Sequence, residues 1–224
     1  MKVCLVCIYN SPDLFPPTLN AISSLCDRFD EVYVLYRGGK EVSLNDNKRA
    51  RYLSVGEETS GMSIWEKISL FFKYRAAIRK IINSKRVDLV LVFDEISLLA
   101  VWPSSDKNGK IWYHSHDVPE PGNFRKLSVG WLASKLQSVM FRDVDIFSIP
   151  TLERAKFYKT DSFKGRQIEI PNYPSLRFFQ EGMRYSDLKD ELRLLYQGTI
   201  SEGHGFEELL EVLGESISGK RLTM

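Results

Sequence analysis

Two of the chain's three histidines, His114 and His116, stand beside two carboxylates, Asp117 and Glu120, in the stretch Tyr113-His114-Ser115-His116-Asp117-Val118-Pro119-Glu120. Imidazoles and carboxylates grouped in this way can hydrogen-bond the hydroxyls of a polar substrate, and one of the carboxylates can act as a base toward it. The stretch directly follows Lys110-Ile111-Trp112-Tyr113, which reads as a strand. Loops at the carboxyl ends of parallel strands are where α/β sheets hold their ligands. Alternation along the strand is expected to turn at most one of the two imidazoles into such a site. The plainer use of these side chains is to satisfy loop backbone, or, for Glu120, to cap the helix that follows. A His-x-His-Asp cluster also invites a metal, but no further Cys or His ligand stands out and none is expected.

Other residues qualify by position. Asn10 and Ser11 follow the first strand, and the loop they open lacks glycine. A dinucleotide-binding G-x-G-x-x-G is therefore missing, which argues against a nicotinamide oxidoreductase. Asp94 and Glu95 close a later strand, from which they could reach the same cleft, though the cap of a short helix is their plainer use. Gly198, Gly203 and Gly205 precede a helix near the end of the chain, a pattern that suits a loop approaching phosphate as well as an ordinary turn.

The elements that would position these residues alternate. Apolar strand-length runs occur at Val3–Tyr9, Glu31–Tyr36, Arg51–Val55, Asp88–Phe93, Ile111–Tyr113, Asp145–Ile149 and Gln167–Ile170. Between them lie stretches of helical spacing: from Pro16 to about Cys26, from Met62 to Ser84, a short one before Pro103, from Phe124 to about Arg142, and from a Thr151 cap to about Lys159. This order predicts an α/β fold with a doubly wound parallel sheet over residues 1–175. Residues 176–191 read as a linker, and 192–224 as the first β-α unit of a second, incomplete domain. On the long helix Trp65, Phe71 and Phe72 are expected to face the sheet, and Leu127 and Leu132 to lie on the inner side of the helix from Phe124.

Composition narrows the class: 224 residues, 43% hydrophobic, 27% charged and a net charge of +2 describe a globular chain with no bias toward nucleic acid. Cys4, Cys7 and Cys26 are too few for a disulfide framework, and Cys4 with Cys7 lies inside a strand, so all three are expected as reduced core residues. No run of about 18 apolar residues exists to span a bilayer. The apolar N-terminus is short and lacks a small-residue cleavage pattern, so it reads as a first buried strand.

Four pieces together resemble the N-terminal half of a GT-B glycosyltransferase of the retaining family four type. They are His116-Asp117-Val118-Pro119-Glu120, Ile146-Phe147-Ser148-Ile149-Pro150-Thr151-Leu152-Glu153-Arg154, Ile170-Pro171-Asn172-Tyr173-Pro174 and Leu195-Tyr196-Gln197-Gly198-Thr199-Ile200-Ser201-Glu202-Gly203-His204-Gly205. The resemblance runs over about residues 2–215 and implies a Rossmann-like acceptor domain followed by the start of a nucleotide-sugar domain. It implies His116 as the catalytic residue, Asn10, Ser11, His114, Asp117 and Glu120 on the acceptor side, and Gly198, Gly203 and Gly205 against the donor diphosphate. Thr199 and His204 occupy the places where relatives carry an arginine and a lysine. The acidic pair of the donor domain would fall beyond Met224, so the chain reads as a truncated transferase.

The implied activity is transfer of a sugar from a nucleotide-sugar to a saccharide or lipid-linked saccharide, with retention and without metal or other cofactor, in cell-surface polysaccharide or glycoconjugate synthesis. The rival from another class is a non-catalytic half-enzyme that binds a saccharide or a partner. The helix from Met62 to Arg86 carries Lys67, Lys73, Arg75, Arg79, Lys80, Lys85 and Arg86 against one acid, Glu66. That face suits an anionic membrane surface at roughly 1 kcal/mol per basic residue near it, and implies a cytoplasmic protein peripheral at the inner face. Its plainer use is as a solvated outer face.

Overall fold

The computed structural model describes residues 1–38, 49–56, 61–103, 109–116, 118, 124–172, 191–193, 205–213, 216–217 and 220–223, in two compact units, Met1–Leu176 and Arg177–Met224. In the first unit the central apolar runs become strands because their residues are buried on both faces of a sheet, as parallel strands covered by helices must be, whereas the two edge strands stay largely exposed. β1 (Val3–Ile8) is buried along its whole length, and β2 (Glu31–Tyr36) at every position but the first. β3 (Ala50–Ser54), β4 (Leu89–Val92), β5 (Lys110–His114), β6 (Ile146–Ile149) and β7 (Arg166–Glu169) complete a sheet in the order β3-β2-β1-β4-β5-β6-β7. Every pairing is parallel. The strand sequence runs outward from β1 to β3, then restarts at β4 on β1's other side. The fold is therefore a doubly wound α/β sheet of the Rossmann-like kind.

Alternation splits the core in two. Val3, Leu5, Val90, Val92, Ile111, Tyr113, Phe147 and Ile149 face one side, where they meet α2 (Ile64–Ser84), α3 (Glu95–Val101) and α4 (Val129–Met140). Cys4, Val6, Ile8, Val32, Val34, Leu91 and Phe93 face the other, against Ile22, Leu25 and Cys26 of α1 (Pro16–Cys26). All three cysteines are buried and unbridged.

Local signals set the helix starts. Ser63 accepts from the Glu66 N–H and Glu66 reaches back to the Ser63 N–H at 2.7 Å, a capping box that opens α2. Such a cap contributes about 1 kcal/mol. Asp94 caps α3 by accepting from the Ser97 N–H at 2.7 Å, as its place before an apolar run suggests. α4 starts later than its periodicity implies. Leu127 adopts φ 65° and is 78% exposed, so Ser128 becomes the cap and Leu127 leaves the inner side; Leu132 is exposed too. Gly130 explains the tight entry: a Cβ there would lie 2.5 Å from the Phe124 ring, which rests against the first turn of α4.

Three further expectations need correction. The segment after Thr151 is a 3-10 helix, Leu152–Phe157, and the Thr151 side chain makes no cap. Phe71 is buried but Trp65 is 79% exposed and Phe72 59%, because the inward stripe of α2 is Leu70, Phe71, Tyr74, Ile78 and Ile81. The second unit is more than one β-α step. β8 (Glu191–Arg193) and β10 (Lys220–Thr223) pair in parallel, α5 (Phe206–Val212) lies between them in sequence, and β9 (Ser216–Ile217) pairs antiparallel with β10.

Candidate functional site

In a doubly wound sheet the ligand crevice forms outside the carboxyl ends of the strands where the winding direction switches. Here that point lies between β1 and β4. Tyr9, Asn10 and Ser11 leave β1 there, and Phe93 and Asp94 leave β4. The two exits are tied together, because the Tyr9 N–H donates to Asp94 Oδ2 at 2.7 Å. Arg37, at the end of β2, donates to the Tyr9 carbonyl at 3.1 Å and to Asn10 Oδ1 at 3.3 Å, with its guanidinium 4.3 Å above the Tyr9 ring. Burial raises the Asp94 carboxyl above its ordinary value, against the lowering effect of the hydrogen bonds it accepts.

One strand over, β5 delivers His114 and His116 to the same rim. Residues two positions apart on an extended chain share a face. Both rings accordingly project to the α1 side and touch, with centroids 4.6 Å apart at 83°. The expectation that alternation admits only one of them is therefore corrected. His116 is 8% exposed and stacks against Phe93 at 4.9 Å and Phe15 at 5.9 Å. Its Nε2 lies 3.0 Å from Thr18 Oγ1 in α1, and its carbonyl accepts from Arg154 at 2.9 Å. These contacts fix the ring plane and leave one edge toward the first turn of α1.

His114 belongs to a second set. Trp112 Nε1–H donates to Ser148 Oγ at 2.6 Å, and His114 Nδ1 lies 2.7 Å from the same oxygen. The indole can only donate, so the serine accepts from it, and its own proton is suited to the imidazole nitrogen. Burial, with His116 beside it, pushes the His114 pKa down to about 3, so this ring is neutral throughout the ordinary pH range. His114, Trp112 and Phe93 floor a cavity of about 280 Å³ along α1, whose rim includes Asn20, Arg28 and Asn172.

On the opposite face Tyr9 borders a second cavity, of about 330 Å³, between the first turns of α2 and α4. Glu95 lies buried in the nearby α3–α4 seam. Its Oε1 receives the Gln137 amide at 3.5 Å, and the Lys159 N–H fixes that amide by donating to its oxygen at 3.0 Å. Burial, with Asp94 adjacent, raises the Glu95 carboxyl to about 7.

Of the sequence-derived candidates, Asn10, Ser11, His114 and His116 thus stand on the carboxyl-end rim of the first unit. Asp117, Glu120, Gly198 and Gly203 lie outside the described residues. Gly205 precedes α5 in the second unit with φ 74°, a left-handed conformation that favours glycine. Thr18, Ser148 and Arg37 join the rim without having been singled out as binding groups, Ser148 leaving a trace as the polar residue within the apolar run of β6; Asp94, expected either at this cleft or as a helix cap, does both. Among the described residues no cluster of His, Cys, Asp and Glu is placed to hold a metal ion, and no helix is long and apolar enough to cross a membrane.

The basic face of α2 is smaller than its sequence suggests. Arg75 donates to the carbonyls of Leu99, Ala100 and Trp102, Arg79 donates to Pro103, and Lys85 pairs with Glu31 at 3.4 Å. The two arginines therefore serve the carboxyl end of α3, whose last carbonyls need donors.

A scan against models of known protein families gives no match, and a sequence search among curated proteins gives none. Solved structures do match. Sucrose-phosphate synthase from Thermosynechococcus elongatus is similar over 99% of this chain and 61% of its own, at 12% identity and a TM-score of 0.69. Phytolacca americana UGT2 without ligand is similar over 79% of this chain and 53% of its own, at 10% identity and a TM-score of 0.52. The same plant protein complexed with UDP-2-fluoro-glucose and pterostilbene matches over 76% and 54%, at 10% identity and a TM-score of 0.50. The chain thus spans between about half and three-fifths of the length of these relatives. At such identities the likeness is one of fold: a Rossmann-like α/β domain of the kind from which GT-B glycosyltransferases are built.

Proposed function

We propose that this chain supplies the acceptor-binding half of a GT-B glycosyltransferase of the retaining family four type. The complete reaction moves a sugar from a nucleotide-sugar to a hydroxyl of a saccharide or lipid-linked saccharide, without a metal. The observation that carries this reading is the winding switch between β1 and β4, whose rim holds Asn10, Ser11 and His116, in a fold shared with sugar-transferring proteins. In this reading His116 orients the reacting groups by hydrogen bonding and Thr18 sets its ring. Asn10, Ser11, His114, Asp117 and Glu120 serve the acceptor, and Gly198, Gly203 and Gly205 approach the donor diphosphate. Trp65 and Phe72, exposed on α2 beside Lys73 and Lys80, support a peripheral place at an anionic membrane surface on the cytoplasmic side.

The test is release of nucleoside diphosphate from UDP- and GDP-sugars in the presence of glycan acceptors. Turnover that falls at least a hundredfold in His116→Ala supports the assignment, whereas an unchanged kcat removes His116 from the mechanism. The second reading is a non-catalytic saccharide-binding module, and the burial of the His116 ring under Phe15 and Phe93 favours it. It predicts calorimetric glycan binding with no response to any nucleotide-sugar.

A further inference from the structure

We infer that the cavity along α1 binds a small, uncharged aromatic molecule through one hydrogen bond, in which His114 Nε2–H donates to an acceptor atom on the edge of the ligand's ring system. The inference goes beyond the transfer reading and does not depend on it. It starts from which nitrogen of His114 carries the proton. Trp112 and His114 lie two residues apart on β5 and so share a face, and β6 pairs Ser148 directly opposite His114. Ser148 Oγ accepts the Trp112 indole N–H at 2.6 Å, which leaves its own proton for His114 Nδ1 at 2.7 Å. A neutral imidazole that accepts at Nδ1 carries its proton on Nε2. Burial keeps the ring neutral, and the Phe93 ring, 5.6 Å away at 87°, braces its plane.

His114 is 5% exposed, yet its Nε2 makes no hydrogen bond among the described residues and is not sealed inside the protein; the ring lines the cavity. A donor placed so deeply calls for an acceptor that enters the cavity. The rest of the lining sets the rest of the ligand. Phe93 and Trp112 floor the chamber, Ala21 and Leu25 contribute from α1 and Pro171 from the exit of β7, so the surface offered is apolar and partly aromatic. Aromatic rings gain from offset or edge contacts on such a floor beyond the area they bury. The cavity holds about 280 Å³. An apolar cavity of about 150 Å³ takes benzene, so two fused rings are the matching size. His114 is the one buried polar residue of the described lining, whereas Arg28 and Asn172 are exposed at its mouth. An ion carried past them would leave water for a neutral donor, which favours a ligand without charge.

The experiment is calorimetric titration of the full chain at neutral pH with three probes. Quinoline has a ring nitrogen that accepts, indole is of similar size but donates instead, and quinoline-6-carboxylate adds a negative charge. Saturable binding of quinoline is expected, with a Kd tighter than that of indole by about fivefold or more, the difference one matched hydrogen bond makes. His114→Phe keeps a flat ring in the wall and removes the donor, so quinoline should fall to the affinity of indole. Ala21→Phe, at a half-buried position of α1, should fill the cavity and abolish binding of both. Leu132→Ala, exposed on α4 at the other face of the sheet, should change neither. The nitrogen NMR spectrum of the His114 ring gives a readout that packing alone would not move: Nδ1 should resonate as an acceptor and Nε2 as an N–H, whose proton quinoline should shift downfield. The inference falls if quinoline does not saturate, if the ring proton sits on Nδ1, or if His114→Phe leaves the preference for quinoline intact. Equal affinity for indole would make this a plain apolar hole, and tighter binding of the carboxylate an anion site at Arg28; either overturns it. No probe contains a sugar or a nucleotide, so the cavity can bind as expected while sugar transfer fails, and transfer can proceed beside a cavity inert to quinoline.

Discussion

Burial acts on an ionisable group on each face of the sheet, with opposite results. On the α1 side it pushes His114 from 6.5 down to about 3; on the α3–α4 side it lifts Glu95 from 4.5 up to about 7. Desolvation penalises the charged form in both cases. A base is thereby carried away from neutrality and an acid toward it. The histidine expected on the acceptor side is a fixed neutral hydrogen-bonding group, while a glutamate that looked like part of a helix start titrates in the working range.

The largest expected effect is at Glu95. Its folded pKa exceeds the unfolded one, so the stability it contributes is full below about pH 4.5 and is lost as pH rises to about 7. At about 1.4 kcal/mol per unit the loss approaches 3 kcal/mol. Glu95→Gln should remove it, measured as a urea-unfolding free energy that rises from pH 4.5 to 6.5, where the wild type stays nearly flat because His114 opposes the loss. Among the described residues, Gln137 from α4, Asp94 beside it and Tyr113 from β5 face this carboxyl, and none of these three is cationic.

His114 has the opposite sign. Its folded pKa is depressed, so its contribution is full above about pH 6.5 and is lost as pH falls toward 3. By pH 5 this amounts to about 2 kcal/mol. Between pH 4.5 and 6.5 the two slopes oppose each other in the wild type. His114→Gln should expose the falling Glu95 slope and Glu95→Gln the rising His114 slope; parallel profiles in the two variants would dissolve the contrast. Ser148→Ala should cost about 1–2 kcal/mol in thermal unfolding, because it strips a partner from both Trp112 and His114. The smallest effect is Ser63→Ala, which opens the capping box of α2 at about 1 kcal/mol and should leave both pH slopes unchanged.

How far the sequence foretold this depends on which forces are local. β1, β2 and β4 were legible because strands buried on both faces must be apolar throughout, and the Asp94 cap was legible because it acts within one turn. The outward turn of Trp65 and Phe72 was not, since helical spacing marks a broad apolar arc but not which part of it the sheet covers. Arg75 and Arg79 read as surface charge because the carbonyls they serve lie on another helix. His114 and His116 were located correctly at the strand end, yet the period of two places both rings on one face. The partners that set them, Thr18 and Ser148, come from elements that the sequence separates from them by tens of residues.

Arg75 has one more implication. Its guanidinium grips the last carbonyls of α3, while Asp94 at the other end of that helix holds the Tyr9 N–H. α3 is therefore pinned at both tips, a short strut braced between the long α2 rod and the exit of the first strand. Cutting either tie, by Arg75→Met at one tip or Asp94→Ala at the other, should loosen the whole strut, read as faster amide exchange along α3.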